Sequence, residues 1–389
     1  MHHLLVPLKH DNALQVECYE IIKNTCRLYA IFAQNLFLNM LKEKQVFING
    51  RFLNQQLTGV QRFAIETTAE IYKSTDFEPI LLCSNRMKSH MELKNVKHIK
   101  IGFLWGHLWE QIELPIYLFL KKTPLLLNLT NSAPLFYTNK IYTLLDTSFK
   151  DTPESFTWTY RTLYSFLAPI CLLTAKRIIT ISQFSKSRIL ANYKFLSEDT
   201  IKVVYCGIKN LKPTKKPIKE NIILSVASLD PRKNTRLLEE AFMAFNKDNK
   251  FKLILVGKQG KAFSHTSMPN SNKNVIYATN VDDAELAELY ASAKLFVSLS
   301  KYEGFGLPIL EALAQGTPVL CSDIEVYKEL FSKYASFTEI DSVKTTTIKI
   351  KETLENNIFA QIDIGELSKK YNWSNTAIII TDEIFKITE

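Results

Sequence analysis

Cysteine gives this chain no framework. Six cysteines, Cys18, Cys26, Cys83, Cys171, Cys206 and Cys321, are scattered through 389 residues with no CxxC pair and no histidine at ligand spacing. That excludes a disulfide-stapled scaffold and a cysteine zinc site, and it points to a reducing compartment. Long apolar runs are missing as well. The most apolar N-terminal stretch, LYAIFAQNLFLNML at 28–41, is broken by Gln34, Asn35 and Asn39. It is too short to span a bilayer and has no small-residue cleavage site close behind it. No internal repeat or low-complexity tract stands out. Acidic residues are in deficit, with 39 Asp and Glu against 48 Lys and Arg for a net charge of +9. The excess favours an anionic partner, and composition alone does not choose between a nucleotide, an acidic lipid surface and nucleic acid. No nucleic-acid recognition motif accompanies the charge, so nucleic acid is not expected as a partner.

What the chain does have is length and apolar content enough for two cores, with 46% hydrophobic and 22% charged residues. After residue 44, short β-rich runs alternate with segments of helical period. The first half carries QVFIN, PILLC, HIKI, LLLNL, IYTLL, RIITIS and KVVYC; the second carries NIILSVAS, FKLILVG, NVIYA, KLFVSLS and TPVLCS. Nearly continuous Val, Ile and Leu runs separated by helices predict parallel sheets covered on both faces. KNLKPTKKPIKE at 209–220, with two prolines and five lysines, reads as a linker. The expected organisation is an N-terminal extension at 1–44, helical or a misassigned start, then a doubly wound α/β domain at 45–208, the linker at 209–220, a second such domain at 221–370, and a helical tail at 371–389 able to pack across either domain. In such sheets ligands bind at the carboxyl ends of the strands, so the loops after strands are the place to look for chemistry.

Glycine is also scarce, 11 residues in all, yet Gly304 and Gly306 fall within the single stretch SKYEGFGLPILEALAQGTPVLCSD at 300–323. KLFVSLS is a strand and LPILEALAQ a helix with Pro308 in its first turn, where a missing N–H costs nothing. The glycines then occupy the strand-to-helix turn, where the backbone can approach a ligand and helix N–H groups point at its oxygens. Glu303 stands at the mouth of the turn and Glu311 on the second helical turn, so the two carboxylates can accept from two different sets of hydroxyls. In SVASLDPRKNTRLLEEAF at 225–242, Arg232 and Lys233 stand at the carboxyl end of another strand, where a planar guanidinium and a point charge suit a diphosphate. In FINGRFLNQQLTGVQRFAIE at 47–66, Gly59 precedes a helix and allows a close backbone approach. His107, between Trp105 and Trp109, is a further candidate for acceptor contact or for packing.

Together these stretches resemble the retaining glycosyltransferases of family 4, which have the GT-B architecture of two facing Rossmann-like domains. The resemblance covers about 46–389 and is nearest to the branch that builds bacterial surface polysaccharides. It extends to GHLWEQIELP (106–115), NSAPLFY (131–137), RIITISQFSKSRI (177–189) and KVVYCGI (202–208). It implies that Glu303 contacts hydroxyls of the donor sugar, Glu311 the ribose diol of a nucleoside diphosphate, and Arg232 and Lys233 the diphosphate. Gly59 would approach the phosphates from the opposite domain, with Gly304, Phe305, Gly306 and Leu307 forming the donor-binding turn. The implied partners are a nucleotide-sugar donor, a lipid-linked oligosaccharide acceptor and an anionic membrane surface, with the protein cytoplasmic and peripheral on the inner face of the cell membrane. No cofactor is expected, and without an Asp-x-Asp signature after a strand no metal either. One departure stands out. Where the family has His-Asp after the strand IYTLL, this chain has Leu145-Asp146. Leu145 can neither donate nor accept a hydrogen bond, while Asp146 can orient an acceptor hydroxyl. The alternative reading is therefore a silent GT-B protein that binds a nucleotide or a partner transferase.

Overall fold

A computed structural model describes residues 45–74, 79–86, 93–209, 211, 213, 218–227, 230–257, 272–355 and 363–388. The expected extension at 1–44 lies outside the described residues, as do 210, 212 and 214–217 of the expected linker. The first half forms a seven-stranded sheet from β1 (Val46–Asn49), β2 (Ile80–Ser84), β3 (His98–Ile101), β4 (Leu125–Asn128), β5 (Lys140–Thr143), β6 (Arg177–Thr180) and β7 (Ile201–Val203). The second forms a six-stranded sheet from β8 (Glu220–Val226), β9 (Lys252–Val256), β10 (Val275–Ala278), β11 (Ala293–Ser298), β12 (Val319–Ser322) and β13 (Ser336–Thr338). Every pairing is parallel, in the orders β3-β2-β1-β4-β5-β6-β7 and β10-β9-β8-β11-β12-β13.

The central strands β1, β4 and β5 are buried along their whole length, whereas the edge strand β3 alternates exposed with half-buried residues. That is why the centres read as unbroken apolar runs. β13 was not anticipated, because three residues, Ser-Phe-Thr, make an edge strand without an apolar run.

The helices that position the site are α1 (Gly59–Ser74), α2 (Leu114–Leu120), α3 (Trp158–Thr174), α4 (Gln183–Asn192), α5 (Thr235–Phe245), α6 (Asp283–Ser292), α7 (Leu307–Ala314), α8 (Glu325–Phe331), α9 (Val343–Glu355), α10 (Ile364–Lys370) and α11 (Trp373–Thr388). On one face of the first sheet, Phe47, Leu82 and Leu126 pack with Leu114 and Leu118 of α2, and Tyr142 and Ile178 with Leu167 and Cys171 of α3. On the other face, Ile48, Leu127 and Ile179 join Phe63 and Ile71 of α1 and Ile380 and Ile384 of α11.

α11 therefore lies on the first-sheet half, although it follows the second in sequence. Trp373 meets Phe63 edge-on at 6.0 Å, and Ser374 Oγ donates to Glu70 at 2.6 Å. Gly207 lets the return crossing pass, since a Cβ there would fall 2.3 Å from the Trp373 backbone nitrogen.

Candidate active site

Each sheet reverses its strand order once, between β1 and β4 in the first and between β8 and β11 in the second. Loops on either side of such a switch point diverge and leave a crevice at the strand ends. In the second sheet the two diverging loops are the one after β8, with Arg232 and Lys233, and the one after β11, with Glu303 to Leu307. The structure thus brings both stretches to one place.

Glu303 is the hub there. Its carboxylate pairs with Lys233 Nζ and accepts from Ser300 Oγ at 2.8 Å and from the Tyr327 hydroxyl at 3.4 Å. Lys233 and Glu303 each keep nearly a fifth of their side chain exposed, enough to reach a ligand. Burial pushes the Glu303 pKa up, but Lys233 and Arg232 outweigh it and hold the carboxyl below its ordinary value. Arg232 is fixed by Asp230, which accepts from Nε at 3.0 Å and from the guanidinium end at 2.5 Å, and its guanidinium lies 4.6 Å from the Phe156 ring centre. Gly306 adopts φ +115°, so it starts α7 in a conformation open to glycine, and a Cβ there would strike Tyr327 at 2.8 Å. Phe305 is buried and stands edge-on to Tyr371 at 5.9 Å. Any contact from this position to a ligand is through its backbone.

The first-sheet half closes over this turn. A Cβ on Gly304 would come within 3.1 Å of Asp146 Cβ, and Ser182 Oγ donates to the Gly304 carbonyl at 2.8 Å. Asp146 accepts from Ser148 N at 2.8 Å. A Cβ on Gly59, the first residue of α1, would sit 3.7 Å from Leu307 Cδ1. Leu145 is only 4% exposed and belongs to the apolar cluster that includes Ile179 and Ile181.

Several cross-cleft contacts escaped the sequence reading. Tyr302 donates to Asp151 at 2.9 Å, and Glu329 accepts from the backbone of Gln183 and Phe184 at 2.9 and 2.8 Å, capping α4 from the other domain.

Glu311 is a different kind of carboxylate from Glu303. It is 5% exposed, accepts from the Tyr290 hydroxyl at 2.9 Å, and faces Arg62 of α1 at 3.6 Å. Burial raises its pKa, and Arg62 and Tyr290 only partly offset that. The seven residues between them therefore separate a partly exposed carboxylate held low from a buried one held high. Arg62 was not singled out from sequence; its place three residues after Gly59, in the first turn of a helix aimed at the cleft, was the available signal.

At the first sheet's switch point the polar groups are sealed. Asn49 ends β1 and Asn128 ends β4; Asn49 Nδ2 donates to Asn128 Oδ1 at 2.9 Å and to Glu110 Oε1 at 2.8 Å. Arg51 pairs with Glu110 at 3.1 Å and donates to Ser132 Oγ at 2.6 Å, the pair being 5% and 0% exposed. His107 Nδ1 lies 3.2 Å from Glu110 at the edge of this network, one-third exposed.

Comparison with known proteins agrees with this geometry. Residues 208–371 match the sequence model of the family described as glycosyl transferases group 1. The chain is 27% identical over 222 residues to O-antigen chain mannosyltransferase B of Escherichia coli, covering 52% of this chain and 58% of that protein. It is 30% identical over 236 residues to O-antigen chain mannosyltransferase RfbU of Salmonella typhimurium, covering 57% and 65%. The chain thus matches less than two thirds of the length of these relatives. Among solved structures it resembles Anabaena HepE in complex with UDP-glucose, with a TM-score of 0.67 at 14% identity over 88% of this chain and 100% of that one. It also resembles WaaG, a glycosyltransferase involved in lipopolysaccharide biosynthesis, with a TM-score of 0.59 at 14% identity over 88% and 97%. At these identities the structural likeness speaks for the fold.

Proposed function

We propose that this chain, a GT-B glycosyltransferase with a group 1 domain and relatives in O-antigen synthesis, moves a hexose or deoxyhexose from a nucleoside diphosphate sugar to a lipid-linked oligosaccharide with retention of configuration. The observation that carries the reading is the meeting of Lys233, Arg232 and Glu303 at the second switch point, opposite Asp146. Two preset cations suit a departing diphosphate, and preorganised charge of this kind lowers the barrier without reorganisation. Glu303, kept ionised, accepts from sugar hydroxyls; Asp146 orients the acceptor hydroxyl; the departing phosphate takes its proton. Glu311 accepts from the ribose diol, and Gly59 with the turn Gly304, Phe305, Gly306 and Leu307 lets backbone approach the donor. Neither a metal nor a cofactor has a part in this scheme. The activity named for the relatives makes mannose the first donor sugar to try.

An anionic membrane face fits the first-sheet half. Every fourth residue leading into and along α2, Leu108, Ile112, Ile116 and Leu120, is exposed, and so are Leu163, Phe166 and Leu173 of α3. The segment Trp109–Glu113 that leads into α2 approaches α3, since Gln111 Nε2 and Cys171 Sγ both donate to the Ala133 carbonyl, at 2.9 and 3.5 Å. Lys121 and Lys122 in the turn after α2 and Arg161 of α3 are exposed as well, so cations accompany the apolar side chains along these elements, a combination that suits an acidic lipid headgroup layer. Among the described residues no helix is long and apolar enough to cross a membrane. We propose that the protein works on the inner face of the cell membrane, and the exposed apolar and basic residues of α2, the turn after it and α3 support that reading.

The second reading, a silent GT-B protein, is favoured by Leu145 alone. Incubating purified protein with nucleotide sugars and following nucleoside diphosphate release separates the two, and thermal stabilisation identifies the donor, because a ligand bound only by the native state raises the melting temperature. Stabilisation without release from any donor supports the silent reading.

A further inference from the structure

Arg62 belongs to α1 of the first-sheet half, yet its ion pairs reach the second. Its guanidinium reaches Asp283 at 3.1 Å and Glu311 at 3.6 Å, and the side chain is 14% exposed. The nitrogen nearest Glu311 is buried and has no hydrogen-bond partner of its own. It is therefore aimed at that carboxylate without being used up elsewhere. Among the described residues, four charged or titratable groups act most on Glu311. Arg62 comes from α1, Tyr290 and Asp283 from α6, and Lys209 from the segment after β7. Lys209 in turn pairs with Asp283 at 2.6 Å and lies 3.8 Å from Glu66 of α1.

A ribose diol offers two hydroxyl donors side by side, and an ionised carboxylate is an acceptor at both oxygens, whereas a protonated one must donate from one of them. Within this set Tyr290 is neutral, Asp283 repels, and Lys209 is engaged by Asp283. Among the described residues, only Arg62 brings a cation directly against Glu311. We propose that Arg62 is a positioning residue of the nucleotide site: from the opposite side of the cleft it holds the Glu311 carboxylate in the charged, doubly accepting form that a ribose diol needs. The inference rests on the reading of Glu311 as the ribose acceptor. It also makes nucleotide binding depend on cleft closure, because the cation is supplied by one half and the carboxylate by the other.

The test is calorimetric titration of uridine diphosphate and guanosine diphosphate, as probes of either base, into the full chain from pH 5 to 8. Parent, Arg62→Met, Arg62→Lys, Glu311→Gln and the double variant Arg62→Met/Glu311→Gln are compared. Affinity that needs ionised Glu311 is present above its pKa and is lost as pH falls. Removing an opposing charge at this range raises a carboxyl pKa, so the midpoint of that loss moves up by about one pH unit in Arg62→Met. Arg62→Lys restores much of the shift, and in the Glu311→Gln background the Arg62 substitution leaves the pH profile flat. A uniform loss of affinity with an unmoved midpoint would mean that Arg62 only ties the two halves together, and would overturn the proposal. If Glu311→Gln binds as the parent does at every pH, the ribose role falls first and this inference with it, so the two failures are distinguishable.

Discussion

Each half of the molecule keeps an arginine and a carboxylate beside the switch point of its sheet, and the two arrangements differ in what surrounds them. At the first sheet, Arg51 and Glu110 are closed in with Asn49, Asn128 and Ser132 and are 5% and 0% exposed. At the second, Arg232 is braced by Asp230, and the adjoining Lys233 and Glu303 remain 19% and 18% exposed. The same chemistry therefore serves two ends. A sealed pair has every hydrogen bond satisfied and fixes the ends of β1 and β4, at a desolvation cost that only good geometry offsets. A pair left partly open holds its charges in place and still has capacity for a ligand. Between these two clusters, partial exposure of Lys233 and Glu303, rather than residue type, is the difference.

The contrast is sharpest if one partner of each pair is removed. Arg51→Met strands the Glu110 carboxylate in the interior, and a broken buried pair costs about 3–5 kcal/mol, readable as a large drop in denaturation midpoint. The pH dependence has a definite sign. Burial pushes Glu110 up, but Arg51 and His107 hold it well below its ordinary 4.5, so the pair's contribution is present above pH 4.5 and is lost on acidification below it. The stability gap between parent and Arg51→Met should accordingly narrow as pH falls under 4.5, and a gap independent of pH would contradict the assignment.

At the open site the effect is on binding instead. Arg232→Ala should weaken nucleoside diphosphate affinity by about 1.5–3 kcal/mol, the range for hydrogen bonds to charged groups, and calorimetry beside a melting curve shows whether affinity or fold is lost. An Arg232→Ala protein that binds as the parent does would remove the residue from the site.

The outward faces of the two halves differ as well. Replacing Phe166 with Asp should cost about 1.5–3 kcal/mol of partition onto anionic vesicles, the value of one buried apolar side chain. Vesicle binding of the parent should also fall with salt, since exposed charges are screened within about a Debye length. Unchanged sedimentation of Phe166→Asp with vesicles would relocate the membrane face.

The smallest effect belongs to Leu145. If the leucine offers an apolar wall to a methyl group at carbon 6 of the sugar, Leu145→His should shift preference from a 6-deoxy donor toward its 6-hydroxy counterpart by about 1 kcal/mol. Competition between paired donors reads this directly, and equal ratios in parent and variant would leave reduced activity as the meaning of the leucine.

The fold was legible because central parallel strands announce themselves as apolar runs: all twelve runs read from the sequence are strands, and among the described residues only Ser336–Thr338 was missed, for lack of such a run. The turn at Gly304 and Gly306 was legible because Pro308 and a helical period follow a strand, and glycine with φ +115° is required there. Arg62, Tyr290, Tyr302 and Glu329 were not, since their partners lie 249, 21, 151 and 146 or 145 residues away in sequence. Local pattern says little about a residue whose distinction is a partner far away in sequence, and for Arg62 the one signal was its place in the first turn after Gly59.

The most direct measurement is the release of nucleoside diphosphate from GDP-mannose and a panel of other nucleotide sugars, with parent and Lys233→Met compared at matched thermal stability. The account predicts release from at least one donor by the parent and at least a hundredfold less by Lys233→Met, on the order of the loss when one preset charge-stabilising group is removed. Release by Lys233→Met at the parent's rate would contradict the assignment of the second switch point as the seat of the chemistry.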